Sequence, residues 1–200
     1  MGAPSGSALI PPTENHTFAR MATTLDLPVI ADQHAFNLER WEELCADPVF
    51  TSYDFRIESN RFGHAIMMPP PGFDHSAHQS EIAIQLHALM RGGKVLTECA
   101  VSTSDGVKGV DVVWISTARI AEARRNNVFV QAPEICVEVI SPSNTRDEIA
   151  EKKQLYFTAG ADEVWLCDAR GRMVFFSQAA TDQARAVSAL CPKFPAVLGE

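Results

Sequence analysis

Apolar residues follow a helical period over residues 35–45, "AFNLERWEELC", through Phe36, Leu38, Trp41 and Leu44. Two strand-like runs come next, "FTSYDFRIES" and "HAIMMPP", joined by the turn residues "NRFG". "PPPGFDH" interrupts the chain. "SAHQSEIAIQLHALMRGG" then predicts an amphipathic helix, with Ile82, Leu86 and Leu89 at helical spacing and Gly92-Gly93 to end it. The pattern shifts to strands at "KVLTECAVS" and "VDVVWIS", with "SDGVKG" as the turn between them, and "TARIAEARRNN" reads as a helix. "EICVEVIS" predicts a buried strand and "TRDEIAEKKQLYFTAG" a helix. "DEVWLCD" and "RMVFFS" predict a final hairpin around "ARG". The unbroken apolar character of 112–115 and 135–140 marks central strands covered on both faces. The expected fold class is α/β: a mixed central sheet flanked by helices, one domain over residues 31–200, after a loose Pro/Ser/Gly-rich arm at 1–30.

Glu138 interrupts the strand "ICVEVI". A lone carboxylate there loses hydration worth several kcal/mol unless a cation or hydrogen-bond donors replace it. Strand alternation points it with Cys136 and Ile140, away from Val137 and Val139. Asp111 opens the other central strand. If the two strands pair, both carboxylates reach one spot, with oxygens within about 6 Å, and both stay ionised only with a cation between them. Oxygen ligands select Mg²⁺, Mn²⁺ or Ca²⁺ over zinc, and the carbonyl of Val139 offers one more. In the helix that follows, Ile149, Lys152, Leu155, Tyr156 and Ala159 fill one arc, with Lys152 in its middle and Lys153 at its edge. Lys152 either reaches the carboxylates or snorkels to water. Asp, Glu and Lys at one sheet edge make a metal-dependent phosphodiesterase constellation.

Charge and composition narrow the partners. The chain has 17 Lys and Arg against 25 Asp and Glu, a net charge of −8, which counts against broad nucleic-acid binding through a basic surface. Arg119, Arg124 and Arg125 read as a solvated helix face. Five dispersed cysteines without a CxxC read as reduced core thiols, and no membrane-length apolar run or secretory leader is evident, so the expected compartment is the cytoplasm. The glycines lack phosphate-loop spacing. His75 and His78 stand at ligand spacing, but further zinc ligands are missing, and a cap or surface role is expected. Glu134 is expected to be exposed, Asp168 to close the last hairpin turn and Gly160 to end the preceding helix.

"GVDVVWIS" and "APEICVEVISPSNTRDEIAEKKQLYFTAGADEVWLCD" resemble the Uma-type restriction endonuclease family of the PD-(D/E)XK nuclease superfamily, most closely over about residues 98–176. The resemblance implies a restriction-endonuclease-like fold and a Mg²⁺- or Mn²⁺-dependent endonuclease acting on DNA. A homodimer is expected, because two sites related by a two-fold axis cut both strands of a duplex and because the apolar hairpin "EVWLCDARGRMVFF" would leave an edge strand open. The family's Pro-Asp pair matches Val110-Asp111, with the proline lost, and its strand glutamate matches Glu138. The usual lysine two residues later is Ile140 here, and the family's helical alternative, "EKxxxY", matches Lys152 and Tyr156. Glu58 and His78 fall at further family positions, as accessory residues. The resemblance thus implies Asp111, Glu138 and Lys152 as catalytic residues, with Asp111, Glu138 and Val139 at the metal. A catalytically silent nucleic-acid- or protein-binding module that keeps the fold is the alternative.

Overall fold

The computed structural model describes residues 30–52, 56–125 and 127–199. The expected arm therefore lies outside the described residues, apart from Ile30. In chain order the elements are α1 (Gln33–Ala46), α2 (Pro48–Thr51), β1 (Arg56–Ser59), β2 (Ala65–Met68), α3 (Phe73–Leu89), β3 (Gly93–Thr103), β4 (Gly106–Ser116) and α4 (Thr117–Ala123). They continue as β5 (Arg124–Arg125), β6 (Val128–Phe129), β7 (Ile135–Val139), α5 (Arg146–Thr158), β8 (Glu163–Cys167), β9 (Met173–Ser177) and β10 (Ala180–Arg185). No helix among the described residues is long and apolar enough to cross a membrane.

Eight strands form one mixed sheet in the order β10-β9-β8-β7-β4-β3-β6-β5, and β1-β2 form a separate hairpin. The pairs β7-β8 and β3-β6 are parallel, and the rest are antiparallel. The central strands β4 and β7 are covered on both faces, as their apolar runs require. Val112 and Trp114 join Val137 and Val139 in a core with Ile82 and Leu86 of α3. Val113 and Ile115 join Cys136 in a second core with Tyr156 and Phe157 of α5. A capping box starts α5, in which the Thr145 hydroxyl and the Glu148 carboxylate each accept a backbone N–H. Gly160, at φ +101°, follows its end.

Three boundaries differ from the pattern. "VKG" belongs to β4, because only Ser104 and Asp105 are needed to turn from β3. The helix after β4 stops at Ala123, and β5 and β6 pair as a small ribbon on the far edge. The β8-β9 hairpin does not leave an open edge: β10, whose sequence "ATDQAR" carries no apolar alternation, pairs with β9. The edge-strand argument for a homodimer is removed with it. Beyond β10, Cys191, Phe194 and Leu198 pack into the α3-side core, and Trp165 meets Phe175 and Phe194 at ring-centroid distances of 5.0 and 4.8 Å.

Candidate active site

The β4-β7 register, Val112 with Val137 and Val113 with Cys136, places Asp111 opposite Glu138 one step further along, on the α5 side of the sheet. The β3-β4 register likewise sets Glu98 opposite Asp111, although no ladder pair forms there. Three carboxylate residues therefore stand in one row across β3, β4 and β7. Like charges directly opposite destabilise a sheet, so the row needs cations. Arg56 supplies one: its Nε lies 2.6 Å from Glu98 Oε2 and its Nη2 3.0 Å from Asp111 Oδ1. Lys152 supplies another, with Nζ 2.8 Å from Glu58 Oε1 and 3.3 Å from Glu138 Oε2.

Dipolar groups complete the pairing. The Tyr156 hydroxyl donates to Glu138 Oε1 at 2.7 Å, and the Val139 N–H donates to Asp111 Oδ2 at 2.7 Å. His75 Nε2 lies 3.2 Å from Asp111 Oδ1. Glu58 also accepts the Gly109 N–H at 3.1 Å, tying β1 to β4. Gln79 donates to both Glu98 Oε1 and the Asp111 carbonyl, at 2.7 and 3.0 Å. Glu98 itself sits at φ +54°, a conformation that costs a non-glycine residue on the order of 1–3 kcal/mol and persists only where its surroundings hold it. Its bonds to Arg56 and Gln79 do so.

Burial and charge then set the proton affinities. Desolvation pushes Glu138 up to about 7; Lys152 and the Tyr156 hydroxyl oppose this, while Asp111 and Glu58 add to it. Desolvation also acts to raise Asp111, but the nearby His75, the Val139 N–H and Arg56 outweigh it and hold that carboxyl below its ordinary value. The His75 imidazole rises, chiefly through its contact with Asp111. For Lys152 desolvation alone would lower the value, yet Glu138 and Glu58 prevail and raise it, so the ammonium stays charged.

Arg56, Glu58, His75, Asp111, Glu138 and Lys152 line a cleft of about 530 Å³, together with the Pro69–Pro71 segment and the start of α5, while Tyr156 is buried behind it. The structure thus brings Asp111, Glu138, Lys152, Glu58, Tyr156 and Val139 together. Glu58 and Tyr156 are more deeply engaged than an exposed strand carboxylate and a packing residue would be. His78 is not among the cleft-lining residues; its Nε2 stands beside Gly171. The histidine at the site is His75. The sequence carries a signal for it, since His75, Gln79, Ile82 and Leu86 follow one helical stripe, whose last three members are buried. Lys153 points elsewhere, donating to the Thr181 carbonyl at 2.7 Å and lying 4.3 Å above the Phe176 ring. Glu134 and Arg119 are not solvated: Glu134 is buried, accepts the Ser116 N–H and pairs with Arg119 at 3.4 Å, and Arg119 also reaches Asp162. The sequence pattern misses Arg56 and Glu98, because a charged residue on a partly exposed strand carries no expectation that it turns inward.

The donor set suits a hard divalent ion. A carboxylate offers about four acceptor positions. Asp111 accepts two hydrogen bonds, from Arg56 and Val139, and Glu138 two, from Lys152 and Tyr156, which leaves positions on both. In a strand, the N–H and C=O of one residue point to the same side, so the Val139 carbonyl faces the Asp111 edge with its N–H. No three His, Cys, Asp or Glu side chains gather into a metal cluster among the described residues. Mg²⁺ is commonly held by one or two carboxylates while water and substrate phosphates complete its shell, and the free positions on Asp111 and Glu138 fit that role.

Comparisons with known proteins found a similar fold and a matching family. The fold is similar to a crystal structure described as "a putative nuclease belonging to DUF820 from Anabaena variabilis", at a TM-score of 0.58 and 19% identity, covering 70% of this chain and 86% of that one. No curated protein matches. A family model described as "Uma2: Putative restriction endonuclease" matches residues 38–192. The chain belongs to the Uma2 family.

Proposed function

We propose that the protein is an endonuclease that hydrolyses phosphodiester bonds in DNA with Mg²⁺ or Mn²⁺ held by Asp111, Glu138 and the Val139 carbonyl. Support comes from the family description, from the nuclease description of the Anabaena neighbour, and above all from one observation: the Lys152 ammonium shared by Glu58 and Glu138 beside Asp111. When bound, the ion supplies Lewis acidity that polarises a phosphoryl oxygen and eases loss of a proton from water. Lys152 orients the attacking water and offsets charge developing on the phosphoryl oxygens. Glu58 fixes the ammonium, and Tyr156 fixes the Glu138 carboxylate. Three cationic side chains, Arg56, Lys108 and Lys152, line the cleft against six carboxylates, Glu58, Asp105, Asp111, Glu138, Glu148 and Glu151. Such an excess of negative charge repels a phosphate backbone, so binding of DNA in the cleft depends on the divalent ion. A homodimer would give one site per strand of a duplex, and light scattering at micromolar concentration tests it.

The Lys152–Glu138 contact also favours a second reading, in which the pair is structural and no metal binds. Calorimetric titration with Mn²⁺ separates the two: wild type releases binding heat and Glu138→Ala does not under the first reading, and neither does under the second. Plasmid cleavage with Mg²⁺ or Mn²⁺ tests the activity. Lys152→Ala should cut about 10²–10⁴-fold more slowly than wild type while keeping Mn²⁺ binding. Lys153→Ala should cut nearly as wild type. A wild type no faster than Glu138→Ala on any DNA refutes the enzyme.

A further inference from the structure

Arg56 occupies a position that this mechanism leaves without a task. Its guanidinium is divided between two carboxylates, Nε on Glu98 and Nη2 on Asp111, while Nη1 has no hydrogen-bond partner among the described residues. Arg56 lines the cleft and is one-fifth exposed, so it reaches solvent and whatever enters. Its second holder is unusual. Glu98 adopts a left-handed backbone conformation in the middle of a strand, at the point where the β3-β4 ladder is interrupted, and Gln79 clamps its other oxygen. The arrangement aims a carboxylate at the Nε edge of the guanidinium and leaves the terminal nitrogens to turn about it.

We propose that Arg56 is an exchangeable counter-cation: it neutralises Asp111 while no divalent ion is bound, and turns, still tethered to Glu98, onto a phosphate oxygen of the nucleic acid when one is. This rests on the metal-dependent reading above. Two full charges arriving beside Asp111 repel a guanidinium 3.0 Å from the same carboxylate. A phosphodiester supplies a planar pair of anionic oxygens, which an arginine fork matches and a lysine does not. One residue then does two things in turn. It prevents an uncompensated carboxylate row in the empty cleft, and it adds a phosphate contact only once the ion is present.

The proposal is tested by Mn²⁺ calorimetry and by binding of a short fluorescent duplex, with Ca²⁺ or with EDTA, across a salt series. Arg56→Gln should bind Mn²⁺ about tenfold more tightly than wild type, because a competing cation is gone. With Ca²⁺, its slope of log affinity against log salt should be shallower than that of wild type by about 0.9, one phosphate contact. With EDTA, when DNA does not enter the cleft, any residual binding should be equally weak and equally salt-dependent in the two proteins. A merely structural arginine would lower both affinities without regard to the ion. Equal or weaker Mn²⁺ binding by Arg56→Gln, or the same slope change in EDTA, overturns the proposal. If Arg56→Gln is unfolded by circular dichroism, Arg56→Lys decides on the same readouts, with values between wild type and those predicted for Arg56→Gln. If wild type binds no Mn²⁺, the metal-dependent reading itself has failed; if wild type binds it and only the arginine effects are missing, that reading stands and this inference falls.

Discussion

Glu138 binds its proton more tightly in the fold than in the open chain, about 7 against an ordinary 4.5, because burial and the neighbouring Asp111 and Glu58 outweigh Lys152 and Tyr156. A raised folded value means that the native state holds more protons. The stability contribution is therefore complete below about pH 4.5 and is lost as pH rises to about 7, a change of up to roughly 3 kcal/mol. His75 acts with the same sign, starting near its ordinary value of 6.5. Urea unfolding of metal-free protein should show stability falling from pH 4.5 to 7, and Glu138→Gln should flatten that part of the profile. A wild-type profile that rises over this interval contradicts the assignment. At this scale much of the site is legible in the sequence. Asp111 and Glu138 are visible as charges inside apolar strands, and Lys152 as a cation in an apolar helical arc. Arg56 is not, because a short polar hairpin strand gives no expectation that its first residue turns inward. The family resemblance selects His78 over His75, which stand three residues apart on one helix and only about 60° apart in direction, yet only His75 reaches the site.

Elements carry the site only where they touch. Gly106 opens β4 at φ +85°, and a Cβ placed on it would stand 2.3 Å from the Ser59 carbonyl at the end of β1. Gly106→Ala therefore adds both a disfavoured backbone and a clash that pushes on β1, which delivers Arg56 and Glu58. It should cost roughly 1–3 kcal/mol in urea unfolding, and plasmid cleavage should slow, because Glu58 on β1 holds the Lys152 ammonium. A variant as stable as wild type would show that β1 is not held by this contact. The apolar runs of β4 and β7 and the helical periods of α3 and α5 make those elements readable from their residues. β10 is not readable, since its polar sequence gains its pairing from β9 alone, a tertiary effect that no local pattern encodes.

Across the whole molecule, the residues after β10 belong to the core as much as α3 does. Glu163, buried at the start of β8, accepts from the Trp165 indole, the Ser188 hydroxyl and the N–H groups of Ala189 and Leu190, at 2.6 to 3.2 Å. Those bonds pin the segment that delivers Phe194 against Trp165. Phe194→Ala should cost about 3–5 kcal/mol, measured by urea unfolding, and a loss below about 1 kcal/mol would show that the segment is a loose cover. This fastening also governs timing. Asp111, Glu138 and Lys152 all precede Phe194 and Leu198 in the order of synthesis, so a ribosome completes the chemical groups of the cleft well before it supplies the side chains that dry the opposite face of the same sheet. Until Phe194 docks, the Trp165 and Phe175 rings lack that cover, which would offer a holdase chaperone an apolar surface to grip.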